Sequence, residues 1–265
     1  MSKRTMQWIG MGLAGILLVA GMVLVNTPAA RSQGEGAPTI YTMVSEFQVP
    51  RASWAQFSED TDKNFVPLAD KAVADGTILG YSTFESVIHT PDGYTHGSVW
   101  QSHTMAGLMK VLDELRKNGP QKGQLASTKH EDLLLQSNMY AAGTGGASKT
   151  TSGYVRVVCQ MAKADRPDDY AAGIKKFLWP TFEDQLKKGS ASYVGLDTMY
   201  VNTGAPSMRC LVISYPNAAG LDAWATAVGG TLGKLSGADR DAVFGSVVPD
   251  SQRDFLARIT HSAHK

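Results

Sequence analysis

Apolar positions between residues 40 and 140 switch between two periods, and the switches predict the elements. Ile40 to Val49 reads as an extended segment. From Ser53 onward, Trp54, Phe57, Phe65, Leu68 and Ala72 recur at roughly helical spacing, and Ser53 with Gln56 has the signature of a capping box. Pro67 predicts a kink in this helix, and Gly76 its C-terminal end. Leu79 to His89 and Tyr94 to Gln101 read as two strands around the turn signal Thr90-Pro91-Asp92-Gly93. Thr104 is a suitable N-cap for a helix reaching Arg116, and Leu133 to Tyr140 predicts a closing strand.

The same pattern then returns. Pro67 recurs as Pro180, Gly76 as Gly189, Val99 as Val212 and Ala106-Gly107-Leu108 as Ala219-Gly220-Leu221, each 113 residues on (180 − 67, 221 − 108). Asn217 takes the N-cap role of Thr104, and Phe255 to His261 matches the closing strand after a longer loop. The element order is β-α-β-β-α-β, twice. The expected fold class is therefore α+β: two tandem ferredoxin-like units packed sheet to sheet as an intramolecular α+β barrel. The first unit covers 38–140 and the second 153–265, joined by a Gly/Ser/Thr-rich linker over 141–152.

Residues 1–37 stand apart. Lys3 and Arg4 precede an uncharged apolar and glycine run from Trp8 to Val25, and Thr27-Pro28-Ala29-Ala30 supplies small residues for cleavage. This reads as a signal peptide, with an uncleaved anchor as the alternative, followed by a polar lead-in. The expected location is periplasmic or secreted, with membrane contact only through this segment if it is retained. The formal charge of +1, from 25 basic and 24 acidic residues, gives no footprint for a nucleic-acid partner.

Phe65-Val66-Pro67-Leu68, Gly76-Thr77-Ile78-Leu79-Gly80-Tyr81 and Val99-Trp100-Gln101-Ser102 resemble the NIPSNAP and antibiotic-biosynthesis-monooxygenase-like members of the dimeric α+β barrel superfamily. The resemblance spans most of the first unit. It is weaker in the second, where Ile213 replaces Trp100. It implies a barrel of two ferredoxin-like units with pockets inside it or between sheet and helices. It implies no single function, since relatives include cofactor-free oxygenases, haem-degrading enzymes, isomerases and non-enzymatic interaction proteins.

Strand alternation sorts the candidate residues into faces. Pairing His89 with His96 across the hairpin puts Glu85 opposite Trp100. The mixed polar and aromatic face is then expected to line the barrel, with Ile88, Val99, Val201 and Val212 turned to the helices. The ligand-binding candidates are Tyr81, Glu85, His96, Trp100, Arg156, Tyr200 and Arg209, with an interior ion pair from Glu85 to Arg156 or Arg209. An equal alternative is that these charges satisfy one another in a plugged barrel. His89, Asp92 and His96 are weak metal candidates lacking an HxH or HExxH spacing, so no metal is expected. His261 and His264 fall in a tail expected to fray. Haem is disfavoured, because Asp92-Gly93 lacks the leading glycine of the peroxidase motif and no helix offers a proximal histidine. No cofactor is expected. Cys159 and Cys210 fall on neighbouring strands with both thiols expected toward the helices; a disulfide and two buried thiols remain equal alternatives.

Three functions fit. The first is an exported protein that binds a small, partly apolar ligand, oriented by Arg156, Arg209 or His96. The second is a cofactor-independent monooxygenase-like enzyme, with Tyr81, His96 or Trp100 positioning an electron-rich aromatic substrate that itself reduces oxygen. The third is a structural or interaction module. A homo-oligomer is compatible with each.

Overall fold

The computed structural model describes residues 38–143, 148–201 and 207–265; the expected export segment, residues 1–37, lies outside them. The first half runs β1 (Ile40–Gln48), α1 (Trp54–Asp60), a π-helical turn over Thr61–Phe65, α2 (Val66–Ala74), β2 (Gly80–Ser86), β3 (His96–Ser102), α3 (Met105–Asn118), α4 (Lys122–Leu125) and β4 (Lys129–Ala142). A short β5 (Ser148–Thr150) follows. The second half runs β6 (Tyr154–Met161), α5 (Asp169–Gly173), a π-helical turn over Ile174–Leu178, α6 (Trp179–Lys187), β7 (Tyr193–Met199), β8 (Met208–Tyr215), α7 (Ala218–Lys234), α8 (Gly237–Phe244) and β9 (Arg253–His264).

Eight antiparallel strands pair in the order β2-β3-β1-β4-β7-β8-β6-β9, and β9 returns to β2, so the sheet closes into a barrel. The fold is α+β, with the helices outside. The two halves meet edge to edge through β4–β7 and β2–β9, in one hydrogen-bonded ring. Within the expected linker, Ala141 and Ala142 belong to β4 and Ser148–Thr150 pairs with β9, while residues 144–147 lie outside the described ones. The tail that was expected to fray is also strand: β9 runs to His264, which is buried.

Local chemistry explains the duplicated details. Each helix-interior proline removes an N–H and collides with the preceding turn, and each sits just after a π-helical turn that widens the helix: Thr61–Phe65 before Pro67, Ile174–Leu178 before Pro180. Thr104 and Asn217 cap α3 and α7 by accepting from the N–H groups of Gly107 and Gly220, both at 3.1 Å. Ser53 stands at the start of α1 but makes no side-chain cap. Gly76 ends the α2 segment at φ +79, a conformation glycine adopts without a Cβ clash.

The expected faces are inverted. Val99 and Val212 point into the barrel with Val44, Leu133, Val157 and Phe255, and so do Cys159 and Cys210. Tyr81, Trp100 and Met43 point outward and pack under α2 and α3 with Phe65, Ala69 and Leu108. The hairpin register is also shifted by four residues and the loop is longer than expected, with Glu85 opposite His96 and Tyr81 opposite Trp100. The expected parity is correct, which is why Glu85, His96 and Trp100 do share a face. Inside and outside were exchanged because helices cover the outer face, so both faces are apolar. The narrow interior also accepts small polar residues such as Thr42, Ser82 and Ser214.

Candidate functional site

The barrel interior is filled. Ile40, Val44, Phe84, Val99, Tyr193 and Val212 are all buried there, and Cys159 and Cys210, opposite one another on β6 and β8, form a disulfide. The carboxyl group of Asp197 and the hydroxyl of Tyr193 are fully buried without a hydrogen-bond partner. Burial pushes the Asp197 carboxyl up to about 8, a rise that the nearby Ser137 hydroxyl only partly opposes. That hydroxyl donates to the carbonyls of Met139 and Leu196 at 3.2 and 3.1 Å, so its proton is already committed. At the other end Glu46 is held well above the usual carboxylate range by burial and by the charge of Glu131, with Lys129 opposing.

The open space lies outside, between the sheet and helices of the first half. A pocket of about 460 Å³ is bordered by Ser45 and Phe47 on β1, Ser98 and Trp100 on β3, and His130 and Asp132 on β4. Phe57, Asp60, Thr61, Asn64 and Phe65 close it from α1 and the π-helical turn, and Leu112, Leu115 and Arg116 from α3. Residues Gly119 to Ser127, around α4, form its outer lip. This lip is latched to α1, where Gly123 N–H donates to Asp60 Oδ2 at 2.7 Å. Gly123 lies so close to Phe57 that a Cβ would stand 2.5 Å from its Cα. Asn64 Nδ2 spans the seam, donating to the Asp60 carbonyl and to Gln121 Oε1 at 2.8 and 3.0 Å.

The walls are aromatic and the polar groups converge on one side. The His130 ring lies parallel to Phe47, with centroids 4.3 Å apart, and Phe65 is tilted against Trp100 at 5.8 Å. Asp132 Oδ1 accepts from His130 Nε2 at 3.1 Å and from the Ser45 hydroxyl. Burial raises the Asp132 carboxyl, but those two hydrogen bonds, with the charges of His130 and Arg116, outweigh it and hold the group below its ordinary value.

Of the expected ligand residues, Trp100 borders this pocket, its indole N–H donating to the Leu108 carbonyl at 3.3 Å. Tyr81 lies behind Phe65 and donates to Asp70 Oδ1 at 2.8 Å. His96 is buried beside Trp54 and Phe57; burial first, and the charge of His89 second, lower it to about 4, so it is neutral at pH 7. Glu85 stands between His96 and Arg258 in the sheet. The expected interior ion pair is not formed: Arg156 lies outside the barrel and pairs with Asp254, and Arg209 donates to the carbonyls of Met208 and Pro167. Tyr200 is exposed, edge-on to Tyr41 at 5.3 Å. His89 packs on Trp54 and Asp92 is exposed; among the described residues no group of three or more His, Cys, Asp or Glu is placed to hold a metal ion. Among those residues no helix is long and apolar enough to cross a membrane.

Ser45, Asn64, His130 and Asp132 were missed by strand-face reasoning. For Ser45 and Asn64 a signal was available in the repeat, because Val158 and Phe177 stand 113 residues on; His130 and Asp132 correspond to the polar Gln252 and Asp254 in the second half and carry no such signal.

The sequence matches no family profile and no curated protein. The fold does match solved structures. A protein of Lactobacillus acidophilus named as a monooxygenase superposes with TM-score 0.58 at 10% identity, covering 85% of this chain and 96% of its own. An anthrone oxidase-like protein gives 0.55 at 9%, covering 88% and 95%. Chlorite dismutase of Candidatus Nitrospira defluvii gives 0.50 at 9%, covering 83% and 90%. These likenesses show a shared fold.

Proposed function

We propose that the protein binds a small, planar, partly apolar ligand in the pocket of its first half. One observation carries this reading: polar residues border a hollow where the repeat places apolar ones. Ser45, Asn64 and Ser98 correspond, 113 residues on, to Val158, Phe177 and Leu211, which pack into or against the second half's core. Natural cores are close-packed, so a space of this size, edged by polar groups where the other copy packs apolar ones, indicates an occupant. In this proposal each half is a ferredoxin-like unit, and the protein acts in the periplasm or outside the cell. The Cys159–Cys210 disulfide suits that compartment.

The test uses 8-anilinonaphthalene-1-sulfonate, a planar fluorescent probe. The wild type should bind one molecule per chain. The triple variant Ser45→Val, Asn64→Phe, Ser98→Leu, which rebuilds the second half's filling, should bind at least roughly tenfold more weakly while unfolding as cooperatively. Equal binding by a folded variant defeats the reading.

A second reading is supported by the His130–Asp132 pair in the pocket: a cofactor-independent, monooxygenase-like enzyme on an aromatic substrate. The names of two structural neighbours point the same way. Neither reading calls for haem. Oxygen uptake with added reduced polycyclic phenols, and no added cofactor, distinguishes enzyme from binder.

A further inference from the structure

We propose that His130, held by Asp132, takes the proton of a weakly acidic hydroxyl on the pocket's ligand, so that the site selects hydroxylated rings and holds them as anions. The inference rests on the pocket being the ligand site and adds the chemical class of the ligand.

The hydrogen bonds fix the tautomer. Asp132 Oδ1 can only accept, so the proton on His130 is at Nε2 and the lone pair is at Nδ1. Nδ1 has no hydrogen-bond partner among the described residues, and the ring borders the pocket. A ligand O–H donating there passes its proton to Nδ1, the O–H bond breaking as the N–H bond forms. The resulting imidazolium faces a carboxylate already held in its ionised form, in part by the Ser45 hydroxyl. The other charged groups on the pocket wall are Arg116 on α3, which complements the new oxyanion, and Asp60 on α1. Asp60 is occupied by the Gly123 N–H and by Gln56 Nε2.

The second half provides an internal control. Ser45 lies opposite Asp132 across β1 and β4, and Val158 lies opposite Asp254 across β6 and β9. The carboxylate is kept, and Gln252, two residues earlier as His130 is, donates to it at 2.9 Å. The hydroxyl and the titratable ring are gone, and Arg156 supplies a permanent counter-charge. Only the copy with a pocket pairs its carboxylate with a group able to accept a proton.

The probe is 7-hydroxycoumarin, whose neutral and anionic forms absorb differently, with 7-methoxycoumarin as the analogue lacking the proton. With wild type, the bound hydroxycoumarin should ionise about one pH unit lower than the free dye, a tenfold shift in its equilibrium. The methoxy analogue should bind roughly tenfold more weakly. His130→Gln should bind both dyes alike with no shift, and Asp132→Asn should lose most of the shift while still binding. Binding by wild type without the shift, or a shift that survives His130→Gln, overturns this proposal alone. Failure of wild type to bind either dye overturns the pocket reading and this proposal with it.

Discussion

Where the first half has Glu46 opposite Gly97 on one rung of the barrel, the second has Cys159 opposite Cys210, and where the first has Phe84, the second has Asp197. Beneath the helices the contrast runs the other way. The first half borders its pocket with Ser45, Asn64 and Ser98, and its α4 leaves Leu125 exposed. The second stacks Phe182 on Trp224 at 4.7 Å, adds Trp179 and Tyr215, and covers them with an α8 whose Val243 is fully buried. One backbone plan thus serves two ends. The second copy has filled its groove and taken a covalent cross-link, and the first has kept its space open.

The comparison breaks most sharply at the aromatic layers. Phe182→Ala should cost about 3–5 kcal/mol in chemical denaturation, because it empties a closed core. Phe57→Ala, beside an existing hollow, should cost roughly half as much, since the wall can relax into space already there. Equal losses would mean the first half is packed like the second. Replacing both cysteines by alanine opens a link between residues 51 apart and should lower stability by about 2–4 kcal/mol, leaving probe binding in the pocket unchanged.

Asp197 sharpens the contrast through pH. The unfolded chain releases this proton near 3.8, whereas the folded protein holds it up to about 8. The folded state therefore binds the extra proton, and stability must fall as pH rises through that window, by up to about 1.4 kcal/mol per pH unit, and level off above it. Asp197→Asn should flatten this slope in thermal melts taken from about pH 5 to about pH 8; an unchanged slope would place the titration elsewhere. The smallest effect belongs to the pocket: His130→Gln, half exposed, should shift stability by no more than about 0.5 kcal/mol.

Much of this was legible in the chain. The constant offset gave the duplication, and Thr104 and Asn217 marked helix starts because their side chains can meet an N–H three residues on. Strand parity placed Glu85, His96 and Trp100 on one face. Which face was inside was not legible, because polarity does not separate a helix-covered exterior from a narrow interior that holds Thr42, Ser82 and Asp197. The site itself was half legible. Trp100 was in view, whereas His130 and Asp132 sit on a strand whose offset in the repeat is longer by nine residues, from the loop before β9 (254 − 132 against 113). A comparison at the fixed offset passes them by.

The β2–β9 seam has a consequence for how the molecule is made. Thr83 meets Thr260 across 177 residues, so the ring joins a strand from early in the chain to one from late in it. Until residues 253–264 have emerged, β2 presents a bare edge of unpaired N–H and C=O groups, able to recruit any extended segment nearby. Such long-range closure is slow, which favours a chain that is delivered extended and completed all at once. Translation halted ahead of β9 would yield an open, adhesive sheet in place of a barrel.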